Sequence, residues 1–181
     1  MYPVAFEDLP TAEFLHGMYC RGMRYGWVSE EKPTVRLQEH PLLTGCTSFQ
    51  YDEFYGEDRL PIRLTDTWGA GQGCTTLELL SLGVPRTLLW AMHCSGSYDR
   101  AVFPFLKKIL SQSWSTEKFQ GCRGPALVRQ GTTIYRRTFT GTFKHFDGTE
   151  NIWRNGCEMG THTFWGGTLL NVPPAAMKKN S

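Results

Sequence analysis

The sequence predicts an α+β fold in which a helix followed by a four-stranded antiparallel meander is written twice. The two units are expected to form curved or facing sheets with the helices packed on them. Three observations predict this. The stretch from residue 133 to residue 169 reads as three strands, Ile134–Thr140, Phe146–Arg154 and Met159–Trp165, rich in β-branched and aromatic residues. Asp147-Gly148 and Asn155-Gly156 beside them are dipeptides that tolerate the positive φ of tight turns. Apolar residues at helical spacing occur twice, each time ahead of a series of strand-like runs. Local details then recur in order: Gly45-Cys46 and Gly121-Cys122 precede a first strand, and Glu78 and Glu150 each lie nine residues after a glycine, Gly69 and Gly141. Chance similarity between two meanders is the alternative. The expected organisation is one domain over residues 1–172, made of repeats at about 11–97 and 98–170, with a mobile tail at 173–181.

Taken in order, Thr11 can cap a helix over residues 11–24, whose apolar stripe is Phe14, Leu15, Met18, Tyr19 and Met23. Residues 28–45 contain Pro33 and Pro41 and read as a loop. Thr47–Tyr51 is a short strand, and Glu53 to Pro61 a polar turn region. Ile62–Trp68 alternates, so Ile62, Leu64, Asp66 and Trp68 share one face. Glycines 69, 71 and 73 form a break. Thr75–Leu82 is a strand, residues 83–85 a turn, and Thr87–Cys94 another strand. A second helix covers about 99–113, with Pro104 in its first turn, where a proline is tolerated. Residues 114–124 link it to a strand at Ala126–Gln130.

Bulk properties exclude several classes of function. The net charge is only +2 and no Lys/Arg run stands out, which gives a weak footprint for nucleic acid. No apolar run approaches the roughly 18 residues that span a bilayer. The N-terminal MYPVAFEDLP lacks the basic-then-apolar pattern of a signal peptide. A cytoplasmic location is therefore expected. The six cysteines form no CxxC pair and suit reduced, buried thiols. No metal is expected, because no histidines or cysteines show ligand spacing, and no cofactor is expected either. Gly69-Ala70-Gly71-Gln72-Gly73 lacks the Lys-Ser/Thr of a phosphate loop, and a strand follows it.

Asp66-Thr67-Trp68-Gly69, Trp90-Ala91-Met92-His93-Cys94-Ser95-Gly96, Phe105-Leu106-Lys107 and Phe146-Asp147-Gly148-Thr149-Glu150 through Gly166-Gly167 carry a resemblance that spans most of the chain. At these positions the sequence resembles a family of bacterial proteins catalogued only as a domain of unknown function, whose members occur alone or behind an XRE-type helix-turn-helix. Of the family's Phe-x-Gly-x-Glu segment only Glu78 survives in Cys74-Thr75-Thr76-Leu77-Glu78, and the family's Asn-Tyr pair is His93-Cys94 here. The resemblance implies no established activity.

Asp66, Glu78 and His93 are the catalytic candidates. A carboxylate on an apolar strand face loses hydration, which raises its pKa and suits general acid–base work, and histidine titrates near neutrality. Each has a plainer alternative: a capping or salt-bridged Asp, a Glu bonded to backbone amides or Arg, a satisfied core His. Cys94 beside His93 is a weaker candidate for a thiol, since neighbouring strand residues face opposite ways. His40, His145 and His162 read as turn or surface residues. Trp68, Trp90, Tyr51 and Trp165 have polar handles and could line a pocket, with Glu150 beside them. The expected function is that of a cytoplasmic small-molecule-binding protein, an acid–base enzyme of cyclase, isomerase or lyase type that acts without a cofactor on an apolar or aromatic substrate in a biosynthetic setting. The alternative is a non-catalytic ligand-binding or protein-interaction domain. The expected partners are a small molecule and possibly a second copy of the chain, with neither nucleic acid nor membrane.

Overall fold

The computed structural model describes residues 9–28, 38–39, 46–80, 87–116 and 118–169. Most of the expected 28–45 loop, the turn at 83–85 and the tail at 173–181 lie outside them. Helix α1 (Ala12–Met23) continues as a π-helical segment at Arg24–Val28, and a 3-10 turn at Arg100–Val102 leads into α2 (Phe103–Ser115). The strands are β1 (Gln38–Glu39), β2 (Thr47–Tyr55), β3 (Leu60–Gly69), β4 (Gln72–Leu79), β5 (Thr87–Tyr98), β6 (Leu127–Gln130), β7 (Thr133–Thr142), β8 (His145–Arg154) and β9 (Cys157–Thr168).

Two separate helix-plus-meander units are not what these strands build. All of them belong to one antiparallel sheet, in the order β1-β2-β3-β4-β5-β9-β8-β7-β6, covered by two short helices. The reason is in the centre, where β5 pairs with β9 from Trp90 opposite Thr168 to Tyr98 opposite Gly160 and fuses the strands into one surface. A single apolar cluster spans the sheet and both helices, so neither helix has a core of its own. The two acids that suggested repetition are also not equivalent. Glu78 is half-buried, with Thr76 as a neighbour, whereas Glu150 is fully buried.

Alternation sets which side chains meet the helices. Phe49, Ile62, Leu64, Leu77, Trp90, Met92, Tyr135, Phe146, Ile152 and Phe164 are all buried. Register puts Trp90 opposite Leu77, Met92 opposite Thr75, and Phe164 opposite both Cys94 and Gly148, which places them on one inner face. Trp90 is stacked on Phe143, ring centroids 4.9 Å apart, and its Nε1 donates to the Phe143 carbonyl at 3.0 Å.

Local signals explain the element ends. Thr11 Oγ1 accepts from the Phe14 N–H at 3.2 Å and caps α1. Ala70-Gly71 and Asn155-Gly156 turn between β3 and β4 and between β8 and β9, all four with positive φ, as two-residue hairpins require. Asp147-Gly148 does not turn. It lies inside β8, and the β7–β8 turn is Phe143-Lys144. Gly148 is there because space is short: a Cβ would come within 2.5 Å of both Phe164 Cζ and the Thr138 carbonyl oxygen. Gly148→Ala should therefore lower stability by about 1–3 kcal/mol in urea unfolding, as overpacked cores do. An unchanged midpoint would mean that the sheet yields there freely.

Among the described residues no helix is long and apolar enough to cross a membrane.

Candidate functional site

A cavity of about 690 Å³ opens between the inner sheet face, the π-helical segment and the start of α2. That is within the roughly 300–1,000 Å³ of small-molecule sites. Trp27, Trp68, Met23, Met92 and Phe103 supply apolar wall, and Asp66, Cys94, Tyr98, Arg123 and His162 supply polar wall. The β3–β4 hairpin tip, Gly69 to Gly73, forms one lip. It is tied to β5 by the Gly96 N–H, which donates to the Gly71 carbonyl at 2.8 Å.

Asp66 and Trp68 enter the cavity together because they sit two residues apart on one face of β3. Asp66 is 7 % exposed. Its Oδ1 accepts from Thr75 Oγ1 at 2.6 Å, and among the described residues no hydrogen bond occupies Oδ2. Burial pushes the carboxyl up to about 6, against the opposing pull of the Thr75 hydroxyl and the Arg123 charge. It is thus present in both protonation states near neutrality.

Behind the cavity lies a fully buried carboxylate, Glu150 of β8. Arg123 Nε donates to its Oε1 at 2.9 Å, and Arg123 Nη2 and the Tyr98 hydroxyl donate to the same oxygen. Tyr135 Oη donates to Oε2 at 2.6 Å. Burial alone would raise the Glu150 pKa, but the Arg123 charge and these donors outweigh it and hold the carboxyl below its usual range. Burial likewise raises both phenols, helped by the Glu150 charge, so they stay protonated as donors. His162 lies 4.0 Å from Glu150, and its Nδ1 has no hydrogen bond among the described residues. Burial, with Arg123 nearby, lowers its pKa to about 4, which leaves the ring neutral at pH 7.

Arg123 reaches Glu150 because residues 121–124 cross the inner sheet face. Gly121 and Cys122 both take positive φ. The Cys122 carbonyl accepts from Tyr19 Oη at 2.9 Å and Trp114 Nε1 at 3.1 Å, and Ser113 Oγ donates to the Arg123 carbonyl at 2.7 Å. Gly124 lets the chain pass the Tyr135 hydroxyl, which a Cβ would approach to 2.7 Å.

The other candidates scatter. Glu78 is on the outer face, opposite Arg63 on β3 and within 3.5 Å of Thr76 Oγ1. Of the apolar neighbours expected of it, Leu80 follows the strand, which ends at Leu79, and Leu82 lies outside the described residues, while Leu77 and Leu79 point inward. His93 is exposed and is not a core residue, with its ring stacked on Trp165 at 5.8 Å between centroids. Trp165 is 46 % exposed on that same outer side and cannot line the cavity. Trp90 is sealed in the core. Tyr51 is engaged with Glu53 at 2.6 Å and stacked on Tyr25, away from the cavity. Cys94 does face the cavity while His93 faces away, and burial pushes its thiol up to about 11, where it is protonated and a weak nucleophile. His162, expected at a turn or on the surface, is in β9 against Glu150. All six cysteines are free. Among the described residues no three His, Cys, Asp or Glu side chains are grouped as metal ligands would be.

Sequence inspection missed Arg123, Tyr98, His162, Trp27 and Phe103. The Gly121-Cys122-Arg123-Gly124 run was the available signal, since two glycines around a charged residue permit a close crossing. Its partner 27 residues away gave no local sign.

Comparison with protein-family models, with curated proteins and with solved structures gives no match.

Two predictions test these assignments. Glu150→Gln leaves the buried Arg123 charge unanswered and should cost about 3–5 kcal/mol in chemical unfolding, whereas Glu78→Gln should stay within about 0.5 kcal/mol of the wild type. Asp66 has a folded pKa above its unfolded value near 3.8. Its contribution is thus fully present below pH 4 and is lost as pH rises through 6. Asp66→Asn keeps an oxygen for Thr75 and removes the titration, so from pH 4 to pH 7 it should gain about 2 kcal/mol relative to the wild type. His162 and Glu150 act with the opposite sign in both proteins, since their lowered pKa values cost stability as pH falls. The difference between the two unfolding series isolates Asp66, and a flat difference would refute its burial as an acid.

Proposed function

We propose that this chain is a small-molecule-binding protein of the cytoplasm, whose cavity accepts a flat, largely apolar molecule, with Asp66 as the acid–base group that meets it. One observation carries this: Asp66 and Trp68 are side by side in the wall of a 690 Å³ cavity. Trp27, Trp68 and Phe103 offer ring faces and edges to a planar body, and the sulfur atoms of Met23 and Met92 adapt to its outline. Asp66 Oδ2 can accept a proton from the ligand, or the protonated carboxyl can donate one. That capacity is what an isomerase, lyase or cyclase of acid–base type requires, and a non-catalytic binder would use the same oxygen as a hydrogen-bond partner. Six free thiols support the cytoplasmic setting.

The neutral fluorophore N-phenyl-1-naphthylamine tests the site directly. It should bind saturably, and Trp68→Ala should weaken it at least about tenfold, since a lost aromatic wall is worth more than about 1.4 kcal/mol. Trp165→Ala, on the outer face, should bind as the wild type does. Thermal melts of both variants check that the fold is kept. Equal binding by Trp68→Ala and the wild type would remove the cavity as the site.

A further inference from the structure

We propose that the natural ligand of this cavity is an aromatic acid, held with its anionic group at the mouth between Arg100 and Lys107 and its ring system inside against Trp68. The assignment rests on the cavity being the binding site, and adds the chemical class of what enters it.

Charge around the cavity is uneven. Its wall contains three cationic side chains, Arg100, Lys107 and Arg123, and one acid, Asp66. Arg123 is answered from behind by Glu150. Arg100 and Lys107 are exposed and have no carboxylate within ion-pair distance among the described residues, whereas Arg21 and Arg63 have Glu53 and Asp52 at 2.7 Å. Lys107 is not loose in solvent either, because its Nζ lies 5.7 Å over the Trp27 ring. It is thus held at the border between apolar wall and water. Arg100 precedes α2 and Lys107 is in its second turn, so one stretch of chain presents both charges to the same opening.

Depth gives the ligand its direction. Asp66 is buried and Thr75 already donates to it, so an anion driven to that end would meet a carboxyl and no free cation. At the mouth the same anion meets two. The body between these ends lies against Trp27, Trp68 and Phe103, which favours rings over an alkyl chain.

Two probes with the same pair of ring systems separate charge from shape. 1-Anilinonaphthalene-8-sulfonate differs from N-phenyl-1-naphthylamine by a sulfonate. At low salt the sulfonate should bind at least tenfold more tightly than the neutral probe, and 0.5 M NaCl should erase most of that margin. Arg100→Gln combined with Lys107→Gln should abolish the margin while leaving the neutral probe's affinity and the melting temperature unchanged. Trp68→Ala should weaken both probes. A sulfonate no tighter than the neutral probe, or a margin that survives the double variant, would overturn the assignment while leaving the cavity in place. Failure of both probes to depend on Trp68 would bring down the cavity itself, and this assignment with it.

Discussion

The Glu150–Arg123 pair is the constraint around which the structure is arranged. A carboxylate placed at the middle of β8, with no water access, is tolerable only if a cation and further donors come to it. Arg123 comes from the connection after α2, Tyr98 from the end of β5 and Tyr135 from β7. One buried charge therefore holds three strands and the loop from the second helix in fixed relation. Such a network is a poor source of net stability, since apolar packing could replace it. Its worth is in specifying one arrangement, because any other leaves a charge stranded.

The cavity follows from that arrangement. With residues 121–124 clamped over the sheet by Tyr19, Trp114 and Ser113, Arg123 occupies one side of the inner face and leaves space on the other. Three glycines in the Gly69–Gly73 tip and one at Gly96 give a lip with little side-chain bulk. Asp66 and the pair behind it form two acidic environments with opposite outcomes. Glu150 is charged because the Arg123 cation and two phenol donors meet it, and Asp66 is poised because burial has no full partner to offset it.

How much of this was readable beforehand depends on range. Period-two alternation placed Asp66 with Ile62, Leu64 and Trp68 correctly, because each of those side chains reports its own face. The Thr11 cap, the Asn155-Gly156 turn and the Pro104 start of α2 were equally local. Glu78 was expected beside apolar neighbours because Leu80 and Leu82 looked like strand companions, but pairing ends at Leu79 and Leu82 lies outside the described residues. Asp147-Gly148 has turn composition, yet Phe164 from another strand claims the glycine. The single sheet was hidden for the same reason. Two runs of strands look alike whether they form separate layers or join, and the join is made by β5 with β9, some 70 residues apart. Arg123 with Glu150 is again a long-range fact.

That join has a consequence for how the chain is made. The strand that completes the centre of the sheet, β9, is the last of the described strands to leave the ribosome. Until it arrives, the twelve-residue β5 has one whole edge of amide and carbonyl groups unmet. A nascent or stalled chain would carry this open edge next to a half-built core, the combination that chaperones shield and that seeds aggregation. Synthesis speed and chaperone supply, more than the energy of the finished protein, would then govern how much of it a cell recovers.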